Sequence, residues 1–349
     1  MQSTRPPAND CDHYLCVYRS LFMKTRSATN PSVLISGILL ATILTTIIAL
    51  IADRLVMFEI VGRTVPFAYP WRLVDPTSWS RASAWIGYAL HNLAVWTIIY
   101  MARRKKPGFN RDFRWYNWSM LGANSLFIGL HILQTHVFYD GLAQDVPEVT
   151  ALGSVALMLM VVLILETPRR GLFFGKRLRF DQRFMKIVRE YHGYFFSWAI
   201  IYTFWYHPTE TTIGHLAGFF YMFMLLWQSV LIFNRAHRFR WWTVTLELLV
   251  IPHGVLVALT QPDSMWRMFG FGFAAIFILT QMHGLGLSRL IRSLLGAAFV
   301  VLALTAYLAG AKVAMMHEIT RIPIIEYGVV GLLYVLFLVC IRLAPKKQH

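Results

Sequence analysis

The sequence predicts an all-α fold, a polytopic transmembrane helical bundle of about ten spans with the N-terminus and C-terminus both cytoplasmic. Three observations carry this. Ten apolar stretches recur along the chain, each near the ~20 residues that cross ~30 Å of hydrocarbon. The loops between them are basic on every second turn. Hydrophobic residues make up 57% of the chain and charged residues 14%, with a mean hydropathy of +0.52. A soluble domain carries roughly 25% charge.

The predicted spans fall at 32–52, 82–102, 116–137, 149–166, 190–206, 212–233, 243–260, 266–285, 293–316 and 323–343. With the N-terminus inside, most of the 33 Lys and Arg residues lie on the cytoplasmic side. This is the positive-inside pattern and points to the cell (inner) membrane. The net charge of +16 is then a topology signal and an attraction to anionic lipid heads. It excludes nucleic acid as a partner; membrane lipids and an amphipathic or apolar small molecule are the expected ones.

In chain order, residues 1–30 read as a disordered cytoplasmic tail, with either Met1 or Met23 as the natural start. The first apolar run is too long for the h-region of a cleavable signal. Cys11 and Cys16 lie in the tail on the reducing side. With Cys340 they are the only cysteines, so no disulfide framework holds the outer loops. Residues 31–344 form the single bundle. The outer loop at 53–81 holds Pro66, Pro70, Pro76, Trp71 and Trp79, a composition suited to a lid or to a connector lying on the bilayer.

The second span carries His91 and Asn92 at ~14 Å depth. In the third, Asn117, Asn124 and His131 recur every seven residues, which keeps them close to one helical face. Gln134, His136 and Asp140 extend this stripe outward. The inner segment 176–189 places Phe180, Phe184, Ile187 and Val188 at helical spacing among basic residues, an interfacial amphipathic helix.

The fifth and sixth spans meet through His207-Pro208-Thr209-Glu210-Thr211-Thr212, with His215 just beyond. His207, Glu210 and His215 therefore occupy one tight region. Two imidazoles and a carboxylate suit a divalent metal, zinc or iron, or general acid–base work. The bland reading is a helix start, with Thr212 as cap and Glu210 at the positive dipole end.

The seventh span is broken by Pro252-His253-Gly254. This puts His253 ~15 Å into the membrane beside a carbonyl the proline leaves unbonded. Glu247 lies two turns below on the same face. In the eighth span His283 stands out within Gln281-Met282-His283-Gly284. Lys312 in the ninth span and Glu326 in the tenth are placed to pair across adjacent helices.

These residues support several readings. The first is a membrane-embedded enzyme acting on a lipid or other amphipathic substrate in the outer half of the membrane. His253, His207, Glu210, His215 and Asp140 would be its catalytic groups, and His136, His207 and His215 its metal ligands. The second is a haem- or quinone-linked redox subunit, with His91 and His131 as cofactor-binding residues and His253 as a possible axial partner of His91. The third is a secondary transporter, with Lys312 and Glu326 on its path. The last is an accessory subunit with no site of its own. The chain has no His-His pair, no paired aspartates of the prenyltransferase kind, no Gly-rich phosphate loop and no serine elbow.

Overall fold

The computed structural model describes residues 31–51, 55, 57–62, 69–260 and 265–343. The predicted N-terminal tail, with both of its cysteines, lies outside the described residues. The architecture is all-helical. Eleven α-helices are described: α1 Pro31–Leu50, α2 Ser78–Arg104, α3 Trp115–Phe138, α4 Glu148–Arg170, α5 Gln182–Tyr206, α6 Ile213–Val230, α7 Arg240–Leu248, α8 Val250–Leu259, α9 Trp266–Leu279, α10 Arg289–Ala309 and α11 Arg321–Leu343. Short 3-10 segments join several of them, and β-structure among the described residues is limited to isolated bridges.

Helix occupies each of the ten predicted stretches. Six segments are long and apolar enough to cross a membrane: α1, α4, α6, α7 with α8, α10, and α11 with the 3-10 turn before it. The others are shorter or more polar. Large apolar side chains such as Leu39 and Ile43 on α1, Leu302 and Leu308 on α10, and Leu332 on α11 stand exposed along these helices. Contiguous apolar surface on that scale is not tolerated in water and suits lipid.

Local chemistry sets the breaks. Pro252 has no N–H to give the carbonyl four residues back, and the helix interrupts at Leu249, separating α7 from α8. Thr212 caps α6, its side chain accepting from the His215 amide. Thr77 caps α2 in the same way through the Ser80 amide.

Two expectations change. Residues 176–189 are not a separate interfacial helix; α5 begins at Gln182 and runs unbroken to Tyr206. Lys312 is not inside a span, because α10 ends at Ala309 and Lys312 caps the following 3-10 turn, Val313–Thr320.

The main core lies among α1, α2, α3, α5 and α6, with Trp205, Tyr206, Phe204 and Phe219 at its centre. A second core packs α4 against α9 and α11 through Met160, Leu163, Ile164, Ile276 and Val330. Leu159, Tyr221 and Val250 link the two. Close approach depends on small residues: a β-carbon at Gly37 would overlap the Trp227 ring, so α1 can lie against α6 only with glycine there.

Candidate functional site

The polar stripe of α3 is spent on holding helices together. Asn117 donates to the carbonyls of Val230 (2.6 Å) and Ile232 (2.9 Å), which the end of α6 leaves unbonded. Asn124 donates to Ser229 Oγ (3.0 Å) and its Oδ1 lies 3.1 Å from His91 Nε2. Trp205 Nε1 donates to His91 Nδ1 at 3.3 Å, and Phe127 stacks on the same imidazole. His91 thus has both ring nitrogens engaged and no face open. His131 is equally enclosed: Nε2 donates to the His207 carbonyl (2.7 Å), Nδ1 faces Gln134 Oε1 (3.1 Å), and Trp205 covers the ring. In this arrangement the ring nitrogens of His91 and His131, expected to hold a cofactor, face protein partners. A haem iron needs a free imidazole nitrogen, and here those nitrogens join helices instead.

The end of the bundle that is outer on the charge pattern gathers a different group. The tight turn after α5 is pinned to α3: the Thr209 amide donates to Thr135 Oγ1 (3.1 Å). Gly141 lies directly on the backbone of Tyr206 and leaves no room for a β-carbon. This fixes His207 at the mouth of the bundle and puts His215, on the first turn of α6, beside it, with ring centroids 5.5 Å apart.

Between them stands Tyr69, from the outer loop. Its hydroxyl is 2.6 Å from His215 Nε2 and 2.9 Å from His207 Nδ1. His215 Nδ1 lies 2.8 Å from Thr212 Oγ1. The line His207–Tyr69–His215–Thr212 can be written in either of two directions. In one, His207 N–H donates to Tyr69, Tyr69 to His215 and His215 to Thr212. In the other, each proton sits on the opposite partner. Such a line can pass a proton along its length by reversing. Trp71 packs edge-on to His215 and Tyr206 edge-on to Tyr69, keeping water from the flanks. Burial, followed by the neighbouring imidazoles of His215, His253 and His131, holds the His207 imidazole well below its ordinary range. Burial likewise pushes the Tyr69 hydroxyl up.

His253 approaches α6 from α8. Its Cε1 lies against Gly218, one turn beyond His215, and its buried Nδ1 has no hydrogen-bond partner among the described residues. Of the five predicted catalytic residues, His207 and His215 therefore meet through Tyr69, and His253 stands one helical turn beyond His215, against Gly218.

The other two do not join them. Glu210 accepts from the Tyr139 hydroxyl (2.8 Å) and from the Thr211 amide (3.0 Å). Asp140 is buried with no partner for Oδ2 among the described residues. Burial pushes its carboxyl up to about 6, against the opposing pull of the Ser80 hydroxyl and the Gly141 amide.

The metal reading is not met by the geometry. His136 Nδ1 bonds the Ile132 carbonyl (2.7 Å), with Nε2 near Ile51, so it lies apart from His207 and His215, whose facing nitrogens are taken by Tyr69. Among the described residues, no three His, Cys, Asp or Glu side chains are grouped to hold a metal ion.

Two residues of weight escaped the sequence reading. Tyr69 was legible only as part of a Tyr-Pro-Trp run in the outer loop. Arg170, counted among the basic residues of an inner loop, is fully buried, with Nη1 on both oxygens of Glu247 at 3.0 and 2.7 Å. The expected Lys312–Glu326 pair is absent among the described residues, and Glu326 Oε2 has no partner there. Comparison with protein families, with curated proteins and with solved structures finds no match to this chain.

Proposed function

We propose that this protein is a membrane-embedded enzyme with an acid–base site in the outer half of the bilayer, acting on a lipid or other amphipathic substrate. The observation that supports it is the reversible hydrogen-bond line through Tyr69. In this reading His253, whose Nδ1 lacks a protein partner, takes or gives the substrate proton. The His207–Tyr69–His215 line supplies the complementary proton from the other side. Neutral imidazoles are the form that general-base work requires. Tyr69 and Trp71, borne on the outer loop, act as the lid that admits the substrate.

The same reading carries ten spans, with both termini in the cytoplasm and the histidine cluster facing outward. It rests on the alternation of basic loops. A C-terminal reporter that is active only in the cytoplasm checks it: activity is expected, and silence places that end outside.

The experiment for function compares lipid extracts of membranes carrying the wild type, Tyr69→Phe, His215→Ala or His253→Ala, and of membranes lacking the protein. One lipid class should differ between the wild type and all the others, with the variants present at normal levels. Indistinguishable profiles in all five samples would overturn the enzyme reading. In the redox alternative His91 and His131 have their ring nitrogens facing protein partners, and His253 alone keeps an Nδ1 without a partner among the described residues. The transporter alternative retains Glu326, a buried carboxyl.

A further inference from the structure

A second buried polar site lies between α4, α7, α8, α9 and α11. The cavity there is lined by Leu159, Leu163, Val250, Ile251, Phe273 and Ile276, with Glu247, Gln281 and Glu326 as its polar members. The space open to the centre of a water-sized particle is about 10 Å³. That is room for one water or one small ion and excludes an organic ligand.

The polar groups are arranged unequally. Arg170 binds Glu247 through Nη1, and Gln281 Nε2 donates to Glu247 Oε2 at 2.7 Å. This donation turns the other end of the Gln281 amide away from the pair. Gln281 Oε1 and Glu326 Oε2 are both buried and both lack a hydrogen-bond partner among the described residues. Gln281 is 5% exposed and Glu326 2%. The Arg170–Glu247 pair is neutral in itself. Glu326 is thus left with no counter-charge, in an apolar wall, inside a helix that meets the requirements of a span. A lone carboxylate there costs a few kcal/mol even on the mildest scale.

We propose that this cavity is a binding site for one positive charge, a proton or a sodium ion, held at the Glu326 carboxylate with the Gln281 carbonyl as second oxygen. The two occupants are alternatives at the same oxygens and compete. Around the site the charged and titratable groups are few; α6 brings Tyr221 against Leu159 and Val250, and α8 carries His253 beside Tyr221. α4 offers Arg170, with Glu166 and Arg169 nearby at its end, and α7 offers Glu247. Tyr327, next to Glu326 on α11, is bonded to Thr280 Oγ1 at 2.6 Å. α9 contributes only Phe273 and Ile276 to the lining. In the 3-10 turn that leads into α11, at the end of that helix that carries Glu326, Glu318 is engaged with Arg321 at 3.9 Å, and His317 with the Ala314 carbonyl.

The test uses the full chain in lipid nanodiscs and two readouts. A hydrophobic carbodiimide attacks carboxyls that are protonated in apolar surroundings, and mass spectrometry locates the adduct. Glu326 is expected to be labelled at low pH. Labelling should fall about tenfold per pH unit once the carboxyl is mostly ionised. Replacing choline chloride by sodium chloride at constant pH should suppress it further if sodium binds. Protection by sodium supports a cation site; dependence on pH alone supports a proton site. The second readout is the melting midpoint. Bound ligand raises it by mass action, so the wild type should respond to sodium or pH where Glu326→Gln does not. Equal responses of wild type and Glu326→Gln, together with no adduct at Glu326 at any pH, would overturn the proposal.

Discussion

The imidazole of His253 lies against Gly218, its Cε1 2.8 Å from where a β-carbon on that residue would stand. This contact sets how closely the broken helix can approach α6, one turn beyond His215. Gly218→Ala should therefore displace His253 and cost about 1–3 kcal/mol of stability by overpacking. The companion His253→Ala change should recover most of that loss. Melting of the two single variants and the double variant checks it; strictly additive losses would show that the two residues do not meet as described.

Tyr69→Phe removes the one hydroxyl that satisfies two imidazoles. The ring remains, so packing against Tyr206 and Trp71 survives. The expected cost is about 1–3 kcal/mol for the polar groups left unpaired. Adding His215→Ala to this variant should cost less than His215→Ala does in the wild type. Thermal unfolding of the four proteins measures the coupling.

Arg170 and Glu247 are a buried pair, and buried pairs are sensitive to how they are broken. Arg170→Met alone leaves Glu247 with only the Gln281 amide and should cost about 3–5 kcal/mol. Arg170→Met with Glu247→Met removes both charges and should cost much less. Yield and melting midpoint of the two proteins decide it. A double variant as impaired as the single would mean that the pair does more than balance charge.

Two loop groups give opposite pH dependences. Burial, with His192 next, pushes His237 down to about 4. Unfolded, it takes up a proton near its ordinary 6.5. Its contribution is intact above that pH and is lost as pH falls from about 6.5 to about 4. Asp140 is raised from 3.8 to about 6. Its folded form keeps the proton longer, so its contribution is intact below about 4 and is lost as pH rises to about 6. His237→Gln should flatten the acid side of the melting-midpoint profile. Asp140→Asn should remove the loss between about pH 4 and 6. A profile unchanged by either substitution would contradict the burial of that group.

The helical order was legible because hydrocarbon imposes a length and a composition on every crossing segment. The break at Pro252 was legible because proline's missing N–H acts through its own carbonyl partner four residues back. The meeting of His207 with His215 followed from a turn only a few residues long. The stripe of α3 was visible as a stripe, but not as a structural one. Whether Asn124 and His131 faced a cavity or the carbonyls of neighbouring segments depended on what α2, α5 and α6 placed opposite them. Tyr69 had no local signature at all, since it acts across more than a hundred residues of chain. Arg170 misled because one residue at a helix end reads the same whether its side chain turns to the headgroups or into the bundle.

By itself, then, the chain's composition and periodicity determined that this is a helical protein built to lie among lipids, where its helices break, and which short turn brings two imidazoles together. Those features depend on near neighbours in sequence and on the solvent. Only the packing decided that a loop tyrosine joins those imidazoles, that Arg170 takes Glu247, and that Glu326 is left without a counter-charge. Such partnerships depend on the rotation and crossing of helices, which are settled by contacts between segments far apart in the chain.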